Sequence, residues 1–256
     1  MTHKKLPVVS IITIVKDGEA VLERTIRSVL SQTYPAIEYI IVFDNKTQDH
    51  TLDIIRRYEH RLSRWISTTP QRKISTYDSM NKGLRVARGT YVWFMNAGDE
   101  FHDRHTVSNV FAADSNADVY YGETVLTNME GNIVGAYKRR APEHLKWKHF
   151  LRNVVCHQAF VIKRSLVGPY DLRYSISADI DWMIRGLKKS KKIVNTHAVL
   201  AKFLVGGLST QRKLTAMFEY FHITNKHFGM RTTLLKNMVL VPELLVECLF
   251  DKTARA

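Results

Sequence analysis

The stretch TYDSMNKGLRVARGTYVWFMNAGDEF, Thr76 to Phe101, decides the fold. Tyr77, Met80, Leu84 and Ala87 recur at steps of three and four, which places them on one face of a helix. Gly89 follows at the position where a helix ends most cheaply in a left-handed turn. Tyr91 to Met95 then carries no charge, as a strand buried on both faces of a sheet requires. Asn96-Ala97-Gly98-Asp99-Glu100 arrives abruptly at the carboxyl end of that strand, where open α/β sheets bind their ligands. There Asp99 reads either as a contact to a metal or metal-bound phosphate, or as a cap for a helix starting near Arg104 or the closure of a turn.

Upstream, the same alternation appears twice. Val8 to Val15 is β-branched and of strand length, and Val21, Leu22, Ile26, Val29 and Leu30 form a helical stripe closed by Gln32-Thr33-Tyr34-Pro35. IEYIIVF, Ile37 to Phe43, is a second buried strand, followed by the polar loop Asp44 to Asp49 and a helix holding Leu52, Ile55 and Tyr58. Strand, helix, strand, helix in this order predicts βαβ units around a parallel sheet. Three strand tips then deliver polar side chains to one edge, which makes a composite site.

Downstream, Trp65 to Thr68 predicts a short strand before the basic loop Pro70-Gln71-Arg72-Lys73. Val107, Val110 and Phe111 predict a helix, and Asp118 to Val125 with Ile133 to Tyr137 predicts a hairpin. The alternation loosens near residues 100–120, where one half gives way to another. His157 to Ile162 reads as a strand, Ser177 to Met183 as a helix start with Ser177 as N-cap, Ile193 to Val205 as a strand, and Arg212 to Phe228 as a helix. Asp179 and Asp181 fall in that helix start, where the dipole favours acid whatever their function.

Bulk composition bounds the partners. In 256 residues, 45% hydrophobic, 38 Lys and Arg face 24 Asp and Glu, a net charge of +14 that favours anionic partners. No nucleic-acid recognition motif accompanies the charge, so nucleic acid is not expected. Cys156 and Cys248 have neither metal-type nor disulfide-framework spacing, which suits a reducing cytoplasm. Met1 to Val15 superficially resembles a secretory signal but lacks a cleavage site and reads better as a first strand. Leu234 to Phe250 is apolar but interrupted by Lys236, Pro242, Glu243 and Glu247, so it reads as an amphipathic helix, either interfacial or packed on the core.

Taken together, the blocks from Val9-Ser10-Ile11-Ile12-Thr13 to Phe203-Leu204-Val205-Gly206-Gly207-Leu208-Ser209 resemble family 2 glycosyltransferases of the GT-A fold, most closely those of bacterial exopolysaccharide and lipopolysaccharide biosynthesis. Between them lie Thr25 to Tyr34, Ile40 to Asp44, Tyr77 to Gly83, Phe94 to Asp99, His157-Gln158 and Ala178 to Asp181. The resemblance implies an α/β, Rossmann-like nucleotide half over about 1–115, an acceptor half over about 116–228, and a helical tail over 229–256. It implies inverting transfer from a nucleotide sugar, of UDP type, to a saccharide or lipid-linked saccharide. The setting would be cytoplasmic, peripheral at the inner membrane face with contact to anionic lipid.

Residue by residue, Ile14, Val15 and Lys16 would pack on the base, Asp44 would accept a base N–H, and Lys73 and Lys82 would help hold the donor. Asp99, with Asn96, would hold Mn²⁺ or Mg²⁺ on the diphosphate. Asp179 would be the general base, while His157, Gln158 and Asp181 would shape the acceptor and sugar pockets. The chain departs from the family pattern where Asn96 and Gly98 replace acids, where Gln71 and Lys73 replace a glutamate and an aspartate, and where Lys46 and Thr47 replace glycine and serine. These departures leave open an alternative, a degenerate member that binds nucleotide or polysaccharide without catalysis.

Overall fold

The computed structural model describes residues 6–68, 76–114, 116–207 and 212–236. Its strands are β1 (Val9–Val15), β2 (Ile37–Asp44), β3 (Arg64–Thr68), β4 (Tyr91–Phe94), β5 (Glu100–Phe101), β6 (Val119–Thr127), β7 (Ile133–Ala136), β8 (Phe160–Lys163) and β9 (Ile193–Leu204). The helices used below are α1 (Leu22–Leu30), α2 (Thr51–Tyr58), α3 (Thr76–Val86), α4 (Thr106–Ala113), α5 (Ala178–Lys189) and α6 (Lys213–Phe228). All nine strands join one sheet in the order β3-β2-β1-β4-β8-β6-β9-β5, with β7 paired to β6. The first four are mutually parallel, as the βαβ reading requires. From β8 onward the sheet is mixed: β8 runs antiparallel to both β4 and β6, and only the long β6–β9 pair is parallel again.

Each uncharged strand run divides by parity between two cores. Successive side chains leave a strand on opposite faces, so Val9, Ile11, Tyr39, Ile41 and Trp93 pack on one side with Leu22, Ile26 and Val29 of α1, Ile54 and Ile55 of α2, and Val110 and Phe111 of α4. Ile12, Ile40, Val42 and Phe94 pack on the other side with Tyr77 and Met80 of α3 and with Trp182, Met183 and Ile184 of α5. Burial on both faces explains why these strands lack the alternating pattern of a half-exposed sheet.

Three local expectations are corrected. Gly89 is not left-handed; positive φ among glycines belongs to Gly98, Gly131, Gly206 and Gly229. Gly89 is instead required by close approach, because a Cβ there would lie 2.7 Å from the Ser10 backbone nitrogen and 2.9 Å from the Val8 carbonyl oxygen. His157–Ala159 is a 3-10 turn rather than strand, and only Phe160–Lys163 joins the sheet. Ser177 sits at the N-cap of α5 but makes no capping hydrogen bond. Among the described residues no helix is long and apolar enough to cross a membrane. Most of the predicted tail, from residue 237 on, lies outside the described residues.

Candidate active site

A cleft of about 690 Å³ opens where β1, β2 and β4 end. Ile14, Val15, Lys16, Asp44, Asn96, Asp99, His157, Gln158 and Asp179 all line it. Lys82 and Asp181 do not, and Lys73 lies outside the described residues.

Asp44, the last residue of β2, is 2% exposed, and its Oδ1 accepts the Lys46 backbone N–H at 2.9 Å. Its Oδ2 is buried without a hydrogen-bond partner; Lys16 Nζ stands 3.9 Å away. A buried carboxylate oxygen without a hydrogen bond is costly, and the Lys16 ammonium at ion-pair range offsets only part of that cost, so a ligand N–H presented here is stabilising.

Past β4 the chain turns at Gly98, whose φ of +98° suits glycine and whose absent Cβ would lie 2.6 Å from Leu204 Cδ2. The turn aims Asp99 inward, where it is 4% exposed. Asp99 Oδ2 accepts Gln158 Nε2–H at 2.7 Å and Oδ1 accepts the Leu204 backbone N–H at 3.0 Å. Gln158 is itself held by Cys156, whose thiol donates to Oε1 at 2.7 Å. Burial raises the Asp99 carboxyl to about 6, although the Gln158 and Leu204 bonds pull the other way. Burial, with Asp99 nearby, also pushes the Cys156 thiol up to about 12, so this cysteine is a fixed hydrogen-bonding group and not a thiolate.

This shift sets a pH dependence. The folded Asp99 carboxyl keeps its proton to about pH 6, whereas an unfolded one loses it near 3.8, so the native state binds more protons between these values. Stability contributed by this group therefore falls as pH rises from about 4 to 6, by about 3 kcal/mol. Asp99→Asn is expected to remove that slope from urea-unfolding curves recorded at pH 4.5 and 6.5. An unchanged slope would refute the assignment.

Asp179 occupies the first turn of α5. Its Oδ1 lies 2.9 Å from the Tyr77 hydroxyl and its Oδ2 3.3 Å from His157 Nδ1. His157 Nε2 in turn meets Asn96 Nδ2 at 3.2 Å. With Nε2 accepting from the Asn96 amide, the imidazole proton sits on Nδ1 facing Asp179, at ion-pair range rather than in a hydrogen bond, and Asn96 Oδ1 is left buried and without a partner. One chain of polar contacts thus joins the tip of β4 to α5.

Asp181 is corrected from pocket to scaffold. Its side chain is fully buried and accepts from Arg185 Nε at 2.7 Å, Lys226 Nζ at 2.7 Å and His227 Nε2 at 2.8 Å. Burial opposes its charge, but these bonds outweigh burial and hold the carboxyl well below the usual carboxylate range. The sequence reading also missed Glu219 of α6. Its carboxylate accepts the backbone N–H groups of Ser175, Ile176 and Ser177 at 2.6 to 2.9 Å, with the Ser175 hydroxyl as a fourth donor at 2.8 Å. No local signal marks that glutamate, because its partners lie over 40 positions away.

A curled mixed sheet flanked by helices, with an acidic cleft at its strand ends, defines the GT-A class of nucleotide-sugar enzymes. Solved structures agree in fold. The chain superimposes on S. aureus TarS 1–349 in complex with UDP with a TM-score of 0.65, at 16% identity, covering 84% of this chain and 64% of that one. It superimposes on the mannosyltransferase PcManGT from Pyrobaculum calidifontis, in complex with GDP-Man and Mn²⁺, with a TM-score of 0.61 at 15% identity, covering 99% and 82%. The sequence pattern described as glycosyl transferase family 2 matches residues 10–168, and the chain belongs to that family. A PGL/p-HBAD biosynthesis glycosyltransferase of Mycobacterium bovis is 31% identical over 211 residues, 79% of each chain. An uncharacterized glycosyltransferase of Methanocaldococcus jannaschii is 25% identical over 240 residues, 87% of this chain and 82% of that protein.

Proposed function

We propose that this glycosyltransferase moves a sugar, with inversion, from a UDP-sugar to a saccharide or lipid-linked saccharide at the inner membrane face. Its product would belong to a cell-surface glycan of exopolysaccharide or lipopolysaccharide type. The observation carrying this reading is that one cleft holds an Asp44 Oδ2 without a hydrogen-bond partner, the Asn96–Asp99 corner and the Asp179 carboxylate.

In this mechanism Asp44 Oδ2 accepts the imide N–H of the base, while Ile14 and Val15 pack beside the ring. Asn96 and Asp99 stand by the diphosphate. A divalent ion, Mn²⁺ or Mg²⁺, fits there: Asn96 Oδ1 is a buried hard oxygen without a partner, and the Asp99 oxygens keep lone pairs beyond the bonds they accept. No cluster of three His, Cys, Asp or Glu side chains that could hold a metal occurs among the described residues, so the diphosphate would complete the ligand shell. Such an ion, when bound, offsets the charge growing on the leaving diphosphate. Asp179 takes the proton of the acceptor hydroxyl as that oxygen bonds to the anomeric carbon and the bond to the diphosphate breaks. His157 and Tyr77 hold the carboxylate in place for that step.

A second reading, nucleotide or polysaccharide binding without turnover, draws on one observation: Asp99 already accepts a bond on each oxygen. A thermal-shift series separates the two. UDP with Mn²⁺ is expected to raise the melting temperature by several degrees, since ligand at 100 times Kd adds about 2.7 kcal/mol. Asp44→Ala should lose the preference for UDP over GDP, and equal shifts by both in the unsubstituted protein would overturn the UDP assignment. UDP binding with no release of sugar from any UDP-sugar would favour the second reading.

A further inference from the structure

The outer face of α6 is apolar and uncovered. Leu214, Met217 and Phe218 are 70%, 50% and 62% exposed and fall at i, i+3 and i+4, so they form one ridge along a single helix face. Met230, Leu234 and Leu235 of helical residues 230–236 add further exposed apolar side chains. Scattered exposed apolar residues need no explanation, but a continuous ridge does.

The charge beside the ridge has one sign. Residues 212–236 carry Arg212, Lys213, Lys226, Arg231 and Lys236 against the single acid Glu219. Glu219 is turned inward onto the 175–177 loop, and Lys226 is held by Asp171 and Asp181. The remaining basic side chains have no carboxylate partner within this segment. Lys236 sits over the Tyr220 ring, 3.9 Å from its centroid, and both burial and the neighbouring Arg139 lower its pKa to about 8. Arg139 belongs to the exposed triplet Lys138-Arg139-Arg140 that follows β7. Positive charge is therefore gathered at this side of the molecule.

We propose that α6 docks the enzyme on an anionic lipid surface, with Leu214, Met217 and Phe218 entering the headgroup boundary and Arg212, Lys213 and Arg231 meeting lipid phosphates. An apolar ridge on a segment whose one acid is turned inward and whose other charges are all cationic is complementary to anionic lipid and mismatched to water or to a neutral bilayer. The opposite face of the same helix holds, through Glu219, the loop carrying Ser175 and Ile176, and both of those residues line the cleft. Docking through α6 thus sets the Ser175–Ile176 wall of the cleft just behind the docked helix, on the side where an acceptor whose lipid stays in the membrane would arrive. This last step rests on the transferase reading; the docking itself does not.

Flotation of the full chain with vesicles tests it. The protein is expected to float with vesicles rich in phosphatidylglycerol, and neither with pure phosphatidylcholine nor at high salt. The double variant Leu214→Ser/Phe218→Ser should lower partitioning at least about tenfold, and Arg212→Gln/Lys213→Gln should weaken it at ordinary salt. Equal flotation of the apolar variant, or none of the unsubstituted chain, overturns the proposal. So does a dimer in sedimentation velocity that the apolar variant dissociates, which assigns the ridge to a second copy. A lower melting temperature of a monomeric apolar variant likewise overturns it by assigning the ridge to residues 237–256. The UDP thermal shift is measured on every variant: if UDP never shifts the melting temperature, the transferase reading fails while flotation still judges docking.

Discussion

Asp179→Asn is expected to bind UDP as the unsubstituted enzyme does and to lose turnover by on the order of 10²–10⁴-fold. The amide has nearly the shape of the carboxylate, so Tyr77 and His157 keep neighbours of similar size, but it cannot take a proton at neutral pH. The loss should fall on kcat, because the interaction removed belongs to proton transfer and not to donor binding. The measurement is the release of UDP over time beside the UDP thermal shift. Normal turnover would sink the base assignment, whereas loss of the thermal shift as well would make Asp179 a donor-binding residue.

The second large effect is on stability. Asp181→Ala is expected to lower the unfolding free energy by about 3 kcal/mol, the low end for breaking a buried ion pair. The reason is that Arg185, Lys226 and His227 all converge on this one carboxylate, whose own side chain is inaccessible to water. The low end applies because Lys226 is 36% and Arg185 30% exposed, and water takes up part of their lost pairing. The native carboxyl is held below its unfolded value, so the stabilisation is complete above about pH 4 and is lost as pH falls further. Urea unfolding at neutral pH measures the effect. A variant with unchanged stability but a raised acceptor KM would return Asp181 to the sugar pocket.

These two aspartates show how far sequence could be read. Both stand in the first turn of α5, and the resemblance carried both to the cleft, Asp179 as base and Asp181 as a wall of the pocket. Two residues along a helix is a rotation of about 200°, so only one of them could face it. The choice belongs to packing: Asp179 meets Tyr77 and His157, while Lys226 and His227 of α6 join Arg185 of α5 itself on Asp181. Lys82 stands off the cleft lining for a similar reason, since Tyr77 faces the cleft and five further residues carry the helix about 140° around. By contrast, β1, β2 and β4 end close to where their uncharged runs stop, and their tips do converge at one sheet edge. A two-face buried strand writes its limits into composition, whereas contacts such as Glu219 with Ser175 to Ser177, or Asp99 with Leu204, depend on elements that meet only after folding.

The turn at Gly98 has a consequence for how this site can be altered. The Gly98 φ of +98° strains any residue with a Cβ, and that Cβ would press on Leu204. The Leu204 backbone is also the group that fixes Asp99. Placing an acid there, as Gly98→Asp, would therefore disturb the carboxylate it was meant to assist. The backbone turn would have to change first, so a second carboxylate added at this corner by one substitution comes at the expense of the first.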